Sequence, residues 1–231
     1  MLDCGFGLRE AESRLMRLGV APSDLSAIVL THEHQDHVGG AFMLARRHGI
    51  PVWLTYGTFQ AVRDKCKDVA LFFCRDGDPI TIGDLLFSPY TVPHDAREPV
   101  QYTASDGRCK LGVLTDAGQS TPHLVRALDA CDALVLECNH DRTLLANSVY
   151  PPSLKQRIGG AYGHLSNDAS AEILSALDNS RLRRVVGAHL SLQNNTPALA
   201  MVALTGALGA HQAEITLACQ KDGFDWIGLN D

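Results

Sequence analysis

The chain has 231 residues, of which 45% are hydrophobic and 20% charged, and its formal net charge is −6 at pH 7. This is the composition of a folded globular protein with enough apolar residues for a substantial core. The negative charge argues against a protein that holds nucleic acid by overall charge, and the apolar runs are too short to cross a membrane.

The seven cysteines are odd in number and contain no CxxC pair. This pattern argues against both a disulfide framework and a thiolate zinc site, and reduced thiols in a cytoplasm fit it better. No basic segment followed by an apolar run appears at Met1, so nothing resembles a signal peptide. We therefore predict a cytoplasmic protein that does not associate with membranes.

Hydrophobic spacing and turn residues predict short helices and strands in the first hundred residues. The predicted helices are 8–18, 39–48 and 56–66. The predicted strands are 27–30, 51–54, 79–82, 85–92 and 100–103.

From residue 110 onward, strands and helices alternate more regularly. Strands are predicted at 110–114, 133–137, 183–188 and 215–218. Helices are predicted at 122–130, at 168–177 with Asn167 as the N-cap, and at 197–208. This mixture predicts an α/β (α+β) protein whose helices pack on the outer faces of its sheets. Because no repeat or linker interrupts the pattern, we predict one domain over 1–231.

A cluster of histidines follows the strand predicted at 27–30. His32, His34, Asp36 and His37 form the pattern HxHxDH. Histidines at i and i+2 in a loop can point to one side and share one ion, while Asp36 and His37 turn towards a second position close by. Zinc accepts imidazole and carboxylate ligands together. The cluster therefore predicts a metal site.

Four later stretches each place a polar side chain at the end of a predicted strand. They are VPHD with His94, LTDAG with Asp116, YGHLSN with His164 and GAHLS with His189. Strand ends are rigid, which suits metal ligands. Taken singly, each has an ordinary alternative, because a lone loop histidine is usually just hydrogen-bonded and an aspartate before glycine is usually a turn residue. Spacing also leaves open which of His164 and His189 binds the second metal.

In order, Asp3, the HxHxDH cluster, His94, Asp116 and His189 resemble the metallo-β-lactamase superfamily over essentially the whole chain. The resemblance implies an αββα sandwich with a two-metal centre at one edge of its sheets. It also implies that Asp3 orients a ligand by hydrogen bonding. The implied ligands are His32, His34 and His94 at the first metal, Asp36, His37 and His189 at the second, and Asp116 as the bridge.

A narrower resemblance comes from VPHDAREPV, LTDAG, ECNHD, YGHLSN and AHLSLQNN together. This set is similar to the YycJ/WalJ-type metallohydrolases, which are relatives of tRNase Z and RNase J. Such proteins usually begin with two strands and a Ser/Gly-rich turn, whereas here Met1 immediately precedes the Leu2-Asp3 stretch. We therefore expect a domain that lacks the first two strands and is N-terminally truncated relative to the family. Its unprotected sheet edge can pair with a second copy, which predicts an oligomer.

The resemblance implies a nucleic-acid phosphodiesterase, and for the closest members a DNA exonuclease. Two divalent ions, zinc first and manganese or iron as alternatives, would activate a water to hydroxide near neutral pH. AHLS resembles the stretch that supplies the final ligand in tRNase Z-like enzymes, and GHLSN resembles their GHST-type stretch. His164 is thus implied as the proton donor to the leaving group. His164 and Asp36 are the predicted catalytic residues.

Lys155 and Arg157 form a basic pair shortly before His164 and are predicted to contact a substrate phosphate, with a solvated face as the alternative. His140 is a candidate for a position just behind the metal ligands. DNA is preferred over RNA as the substrate. One alternative function is hydrolysis of small esters, thioesters or lactams, because the same metal centre cleaves them. A second is a metal-binding scaffold that regulates a partner, which the complete ligand set disfavours.

Overall fold

The computed structural model describes residues 1–229. Its helices are α1 Leu8–Arg17, α2 Gln35–Val38, α3 Ala41–His48, α4 Tyr56–Val62, α5 Pro122–Leu128, α6 Arg142–Asn147, α7 Pro152–Ile158, α8 Asn167–Ala176 and α9 Pro197–Leu208. Its strands are β1 Ile28–Val29, β2 Val52–Thr55, β3 Leu71–Cys74, β4 Ile80–Ile82, β5 Leu85–Thr91, β6 Val100–Ser105, β7 Lys110–Leu114, β8 Ala133–Glu137, β9 Arg184–Ala188 and β10 Glu214–Leu217.

The chain divides into two compact units. The first contains Met1–Thr91 and Ala96–Val100, and the second contains, of the described residues, Val92–Asp95 and 101–229. The single domain inferred from the sequence stays a prediction.

The first unit is built on a parallel sheet in the order β1-β2-β3. Leu2 forms an isolated parallel bridge with Val29, so the chain begins beside β1. Strands β4 and β5 form an antiparallel hairpin. The core of this unit consists of apolar side chains from β1, β2 and α3, including Ile28, Leu44 and Leu54, which are fully buried. Burial of these side chains fixes where β1 ends and the histidine cluster begins.

The second unit contains β10, β9, β8 and β7 in parallel, with β6 antiparallel to β7. Strands β8 and β9 are buried along nearly their whole length, which matches their continuous apolar sequence. In register, Leu114 lies beside Leu136, and Glu137 lies beside Ala188. The carboxyl ends of β7, β8 and β9 are therefore neighbours. In open parallel sheets this is the edge at which ligands bind.

Three helices and one strand were not predicted: α2, α6, α7 and β3. The helices are only four to seven residues long, too short to show a helical period. The predicted N-cap of α8 was wrong, because the cap is Ser166, whose Oγ accepts a hydrogen bond from the Ala169 N–H at 3.2 Å. The side chain of Asn167 is buried and instead pairs with Asn195.

Over residues 1–229, none of the helices combines the length and apolar character needed to cross a bilayer. The longest, α9, has 12 residues, whereas a span needs about 20. None of the seven cysteines, all of which lie within residues 1–229, forms a disulfide, and five of them are buried.

Candidate metal centre

In the first unit the HxHxDH cluster lies directly after β1. The ring centroid of His32 is 4.5 Å from that of His34 and 4.2 Å from that of His37. Asp36 and His37 lie on α2, and Asp36 Oδ2 is 3.6 Å from His37 Nε2. His32 and His37 are buried, whereas 67% of the Asp36 side chain is exposed. The short helix thus brings together the residues that the sequence pattern had grouped.

Asp3 holds this cluster through a network centred on Thr31. The Asp3 carboxylate accepts hydrogen bonds from His37 Nδ1 at 2.8 Å, from the Thr31 amide at 2.9 Å and from the Thr31 hydroxyl at 2.8 Å. The hydroxyl in turn lies 2.9 Å from His32 Nδ1, which donates to it. Both imidazoles are therefore held as Nδ1–H tautomers, the form whose Nε2 can bind a metal.

Gly5, in the Leu2-Asp3-Cys4-Gly5 stretch, lies where only a glycine fits. A Cβ at Gly5 would lie 1.7 Å from the carbonyl oxygen of Asp36. No side chain fits at that distance, so the first loop packs backbone to backbone against the ligand helix α2.

In the second unit, Glu137 at the end of β8 binds two histidines through one oxygen. Its Oε1 accepts hydrogen bonds from His164 Nδ1 and His189 Nδ1, both at 2.9 Å. Its Oε2 accepts from the amides of Ala117 and Leu165, each at 3.1 Å. Glu137 is fully buried. A buried carboxylate is stable only when its lone pairs are satisfied, and here four donors satisfy them.

Sequence reasoning missed Glu137. The sequence pattern predicts it only as the last residue of a strand, although it is the single charged residue after the apolar run ALVL and belongs to the ECNHD stretch. A charge at the end of a fully buried strand is the signal that would have found it.

Asp116 lies in the same group. Ligand atoms of Asp116, Glu137, His164 and His189 all lie within 4.8 Å of one another. Asp116 Oδ1 is 3.3 Å from His164 Nδ1 and 3.5 Å from His189 Nδ1. His94 joins them, with its Nε2 4.0 Å from Asp116 Oδ1 and its Nδ1 donating to the Gly163 carbonyl at 2.9 Å. The ends of β7, β8 and β9 thus meet the loops that carry His94 and His164, and the five side chains form one group.

Burial and neighbouring charges shift the pKa values of the histidines and the glutamate in this group. Burial alone would lower the pKa of His164, but its hydrogen bonds to Asp116 and Glu137 raise that pKa to about 9. Burial also disfavours the charged form of Glu137, yet the bonds from His164 and His189 keep the pKa of Glu137 below its usual value. Burial lowers the pKa of His94, which favours its neutral, metal-binding form.

Backbone strain coincides with the predicted site. Within residues 1–229, five non-glycine residues have a positive φ, and three of them are Asp3 (52°), Asp116 (57°) and His189 (58°). Left-handed backbone costs energy for any residue with a Cβ and persists where the surroundings hold it in place. In each case the residue follows the end of a strand or bridge: Leu2 precedes Asp3, β7 precedes Asp116 and β9 precedes His189.

Residues of the ECNHD and AHLSLQNN stretches bind the loops after β8 and β9 to each other. Asn139 Nδ2 donates to the His189 carbonyl at 3.1 Å, and the Ser191 amide donates to the Asn139 carbonyl at 2.9 Å. Asn195 Nδ2 donates to the Cys138 carbonyl at 2.7 Å. These bonds fix the backbone on which His189 is carried.

The remaining predicted residues lie outside this hydrogen-bonded group. Arg157 Nε donates to Asp95 Oδ2 at 2.6 Å, and Lys155 Nζ donates to the Ala146 carbonyl at 2.7 Å. His140 is buried in the loop after β8, and burial lowers its pKa. Their predicted roles in phosphate contact and ligand support stay predictions.

The donor chemistry of both groups fits a divalent metal. Each consists of imidazoles and carboxylates, and the imidazoles of His32, His37 and His94 are oriented from Nδ1 by an acceptor on the protein. This orientation is typical of metal-binding histidines.

Residues 1–190 match the model of the beta-lactamase superfamily domain. The chain is 31% identical to the exodeoxyribonuclease YycJ of Bacillus anthracis over 211 residues, which cover 90% of this chain and 80% of that protein. It is also 31% identical to the exodeoxyribonuclease WalJ of Streptococcus pneumoniae serotype 2 (strain D39 / NCTC 7466) over 230 residues, covering 97% of this chain and 85% of that protein.

Among solved structures, the metallo-beta-lactamase fold protein YhfI from Bacillus subtilis is similar, with a TM-score of 0.75 and 17% identity. The similarity covers 98% of this chain and 86% of that one. The predicted fold is therefore confirmed. The chain belongs to the metallo-β-lactamase superfamily of metal-dependent hydrolases, in the group of the YycJ/WalJ-type proteins.

Proposed function

We propose that this chain is a metal-dependent DNA exonuclease that hydrolyses phosphodiester bonds. The observation that carries the proposal is its 31% identity to YycJ and WalJ, both named exodeoxyribonucleases, over at least 80% of their lengths. Two divalent ions are proposed as cofactors, with zinc preferred over manganese or iron. The proposed ligands are His32, His34, Asp36, His37, His94, Asp116 and His189.

When bound, such ions supply Lewis acidity and lower the pKa of a water. The residues of the chain provide the geometry for this chemistry. Asp3 and Thr31 fix the rings of His32 and His37, and Gly163 fixes that of His94. A ligand set held in advance needs little rearrangement when the substrate arrives.

His164 is the proposed proton donor to the departing oxygen. Its Nδ1 is bound to Glu137, so Nε2 is the nitrogen from which a proton can leave. The raised pKa of about 9 keeps the ring protonated near neutral pH. An alkoxide is a poor leaving group in water, so a proton delivered there lowers the barrier. Glu137 then holds the same ring in place while it is neutral.

A substrate panel tests the proposal. Protein reconstituted separately with zinc and with manganese is given 5′-phosphorylated double-stranded DNA, the matching RNA, bis-p-nitrophenyl phosphate, nitrocefin and S-lactoylglutathione. We expect nucleotide release from DNA and hydrolysis of the small phosphodiester. Turnover of S-lactoylglutathione or nitrocefin without phosphodiesterase activity would replace the proposal with a small-substrate hydrolase. Stoichiometric metal without any turnover would favour a scaffold.

Two further properties belong to the same proposal. The first is a cytoplasmic location, which is supported by the lack of any disulfide among the seven cysteines of residues 1–229. Self-association through an exposed sheet edge also stays a prediction, and light scattering over a range of protein concentrations tests it.

A further inference from the structure

A cavity of about 500 Å³ lies in the second unit beside α6, α7 and the start of α8. Among the described residues that line it are two cations, Arg142 and Lys155, and none is a carboxylate. Gly118, two residues after Asp116, also lines it. The cavity is therefore positively charged and close along the chain to the metal-binding group.

Both cations have N–H groups that can bind a ligand. Arg142 uses Nε to bind Ser166 Oγ at 3.1 Å and lies 3.5 Å from Asp168, which leaves its two Nη groups for other acceptors. Lys155 uses one of its three N–H bonds on the Ala146 carbonyl. Ser166 caps α8, a helix of ten residues, and the positive end of that helix reaches the cavity.

His140 is the independent sign that a ligand belongs here. Its exposed fraction is only 2%, it lines the cavity, and its Nδ1 has no hydrogen-bond partner among residues 1–229. Gly159 also lines the cavity, and a Cβ added to it would lie 4.0 Å from Nε2 of His140. A buried imidazole nitrogen without a partner is unfavourable, and a bound oxyanion that accepts its N–H removes that cost.

The cavity is also linked to the proposed proton donor. The Asn167 amide at the start of α8, three residues after His164, donates to the His140 carbonyl at 2.8 Å. Glu137, which binds His164 at 2.9 Å, lies three residues before His140. A group bound in the cavity is thus near the residue proposed to protonate the leaving oxygen.

We propose that this cavity, defined by His140, Arg142, Lys155 and Ser166, binds a phosphate group of the nucleic-acid substrate next to the bond that is cleaved. The inference rests on the proposed function. The phosphate is either the terminal monoester of a strand end or a diester of the backbone. Arg157 is not part of this subsite, because its guanidinium pairs with Asp95 and it does not line the cavity.

The double variant Arg142→Gln/Lys155→Gln tests the subsite. Its matched control is Arg108→Gln/Arg126→Gln, which removes two exposed charges of the same unit outside the cavity. Each is assayed on one DNA sequence bearing a 5′-phosphate, a 5′-hydroxyl or a 3′-phosphate, and on bis-p-nitrophenyl phosphate. We expect the KM for DNA to rise about tenfold or more in the first variant, with kcat and the small diester unaffected.

The pattern across the DNA ends identifies the phosphate. A rise confined to one phosphorylated end assigns the terminal monoester, and an equal rise on all three assigns the backbone diester. An unchanged KM, or an equal loss on bis-p-nitrophenyl phosphate, overturns the subsite. A His140→Gln variant must weaken DNA binding in the same way.

A measurement without DNA separates this inference from the proposed function. Inorganic phosphate should raise the Tm of the metal-loaded wild type and of the control more than that of Arg142→Gln/Lys155→Gln. That difference supports the subsite even if the enzyme cleaves no DNA. An equal rise in all three proteins contradicts it.

Discussion

At the scale of single residues, one carboxylate oxygen of Glu137 orients two histidines that have different proposed roles. His164 and His189 make the same bond to it at the same distance of 2.9 Å. A metal-bound imidazole has no lone pair left with which to carry a proton, so the ligand and the acid must be different residues. Their bonds to Glu137 do not separate the two, and their roles stay predictions that mutation can test.

His164→Ala should keep both metals but lose about 10²–10⁴-fold in phosphodiesterase rate, since general-acid assistance is typically of that size. The loss should be smaller on bis-p-nitrophenyl phosphate, whose p-nitrophenolate needs no proton. His189→Ala should instead lose the second metal, which elemental analysis measures. A metal-depleted His164 variant beside a fully loaded His189 variant would reverse the assignment.

The pH dependence of DNA cleavage follows from the raised pKa of His164. Because the protonated ring is the active form, kcat should fall as pH rises through about 9, and a divalent cation bound nearby shifts this limb to lower pH. The limb should be absent with p-nitrophenolate as the leaving group. Because the pKa of His164 is higher in the folded chain than its ordinary value of 6.5, protonation of this ring stabilises the fold. This stabilisation is complete below pH 6.5 and is lost as the pH rises through about 9. A limb unchanged in His164→Ala would assign it to another group.

Glu137→Gln tests the carboxylate that holds the two rings. A glutamine cannot accept from all four donors, because either orientation of its amide turns an NH₂ towards two N–H groups. We expect a loss of about 10–100-fold in activity or metal affinity, as for other residues that orient metal ligands. Glu172→Gln, an exposed change on α8, is the control. Activity on the small diester and bound metal are measured together, and wild-type values for both would remove Glu137 from the site.

At the scale of elements, the start of α8 serves both the fold and the proposed phosphate subsite. Ser166 Oγ accepts from the Ala169 amide and from Arg142. Ser166→Ala removes this cap and should lower the free energy of unfolding by about 1 kcal/mol, measured by urea denaturation. Ser153→Ala, exposed on α7, should change it by no more than about 0.5 kcal/mol. Equal effects in the two variants would show that the cap contributes nothing.

At the scale of the whole molecule, metal should stabilise a fold that does not depend on it. Both units have buried apolar cores, so chelation should preserve the far-UV circular dichroism spectrum. Metal binds only the folded ligand set, so saturating zinc should raise the Tm. The ligands must be neutral histidines and ionised carboxylates, so this increase should shrink as pH falls through the histidine range near 6.5. Unfolding upon chelation, or a Tm indifferent to zinc, contradicts the prediction.

Much of this protein was determined by local sequence alone. HxHxDH places four candidate ligands within six residues, so their proximity follows from the chain itself. The predicted order of most strands and helices is confirmed, because long apolar runs and capping residues act locally. The short helices α2, α6 and α7 escaped prediction since one or two turns carry no readable period.

The tertiary structure decided what depends on residues far apart in the chain. Glu137 meets His189, 52 residues later, because parallel β8 and β9 end side by side. It meets His164, 27 residues later, because the loop before α8 packs against the end of β8, where the Leu165 amide also donates to Glu137. The positive φ of Asp116 and His189 is likewise imposed by the surroundings, since neither residue type prefers it strongly enough alone. Local sequence patterns indicate which residues can bind a metal. The register between strands that are distant in the sequence decides which carboxylate orients those residues.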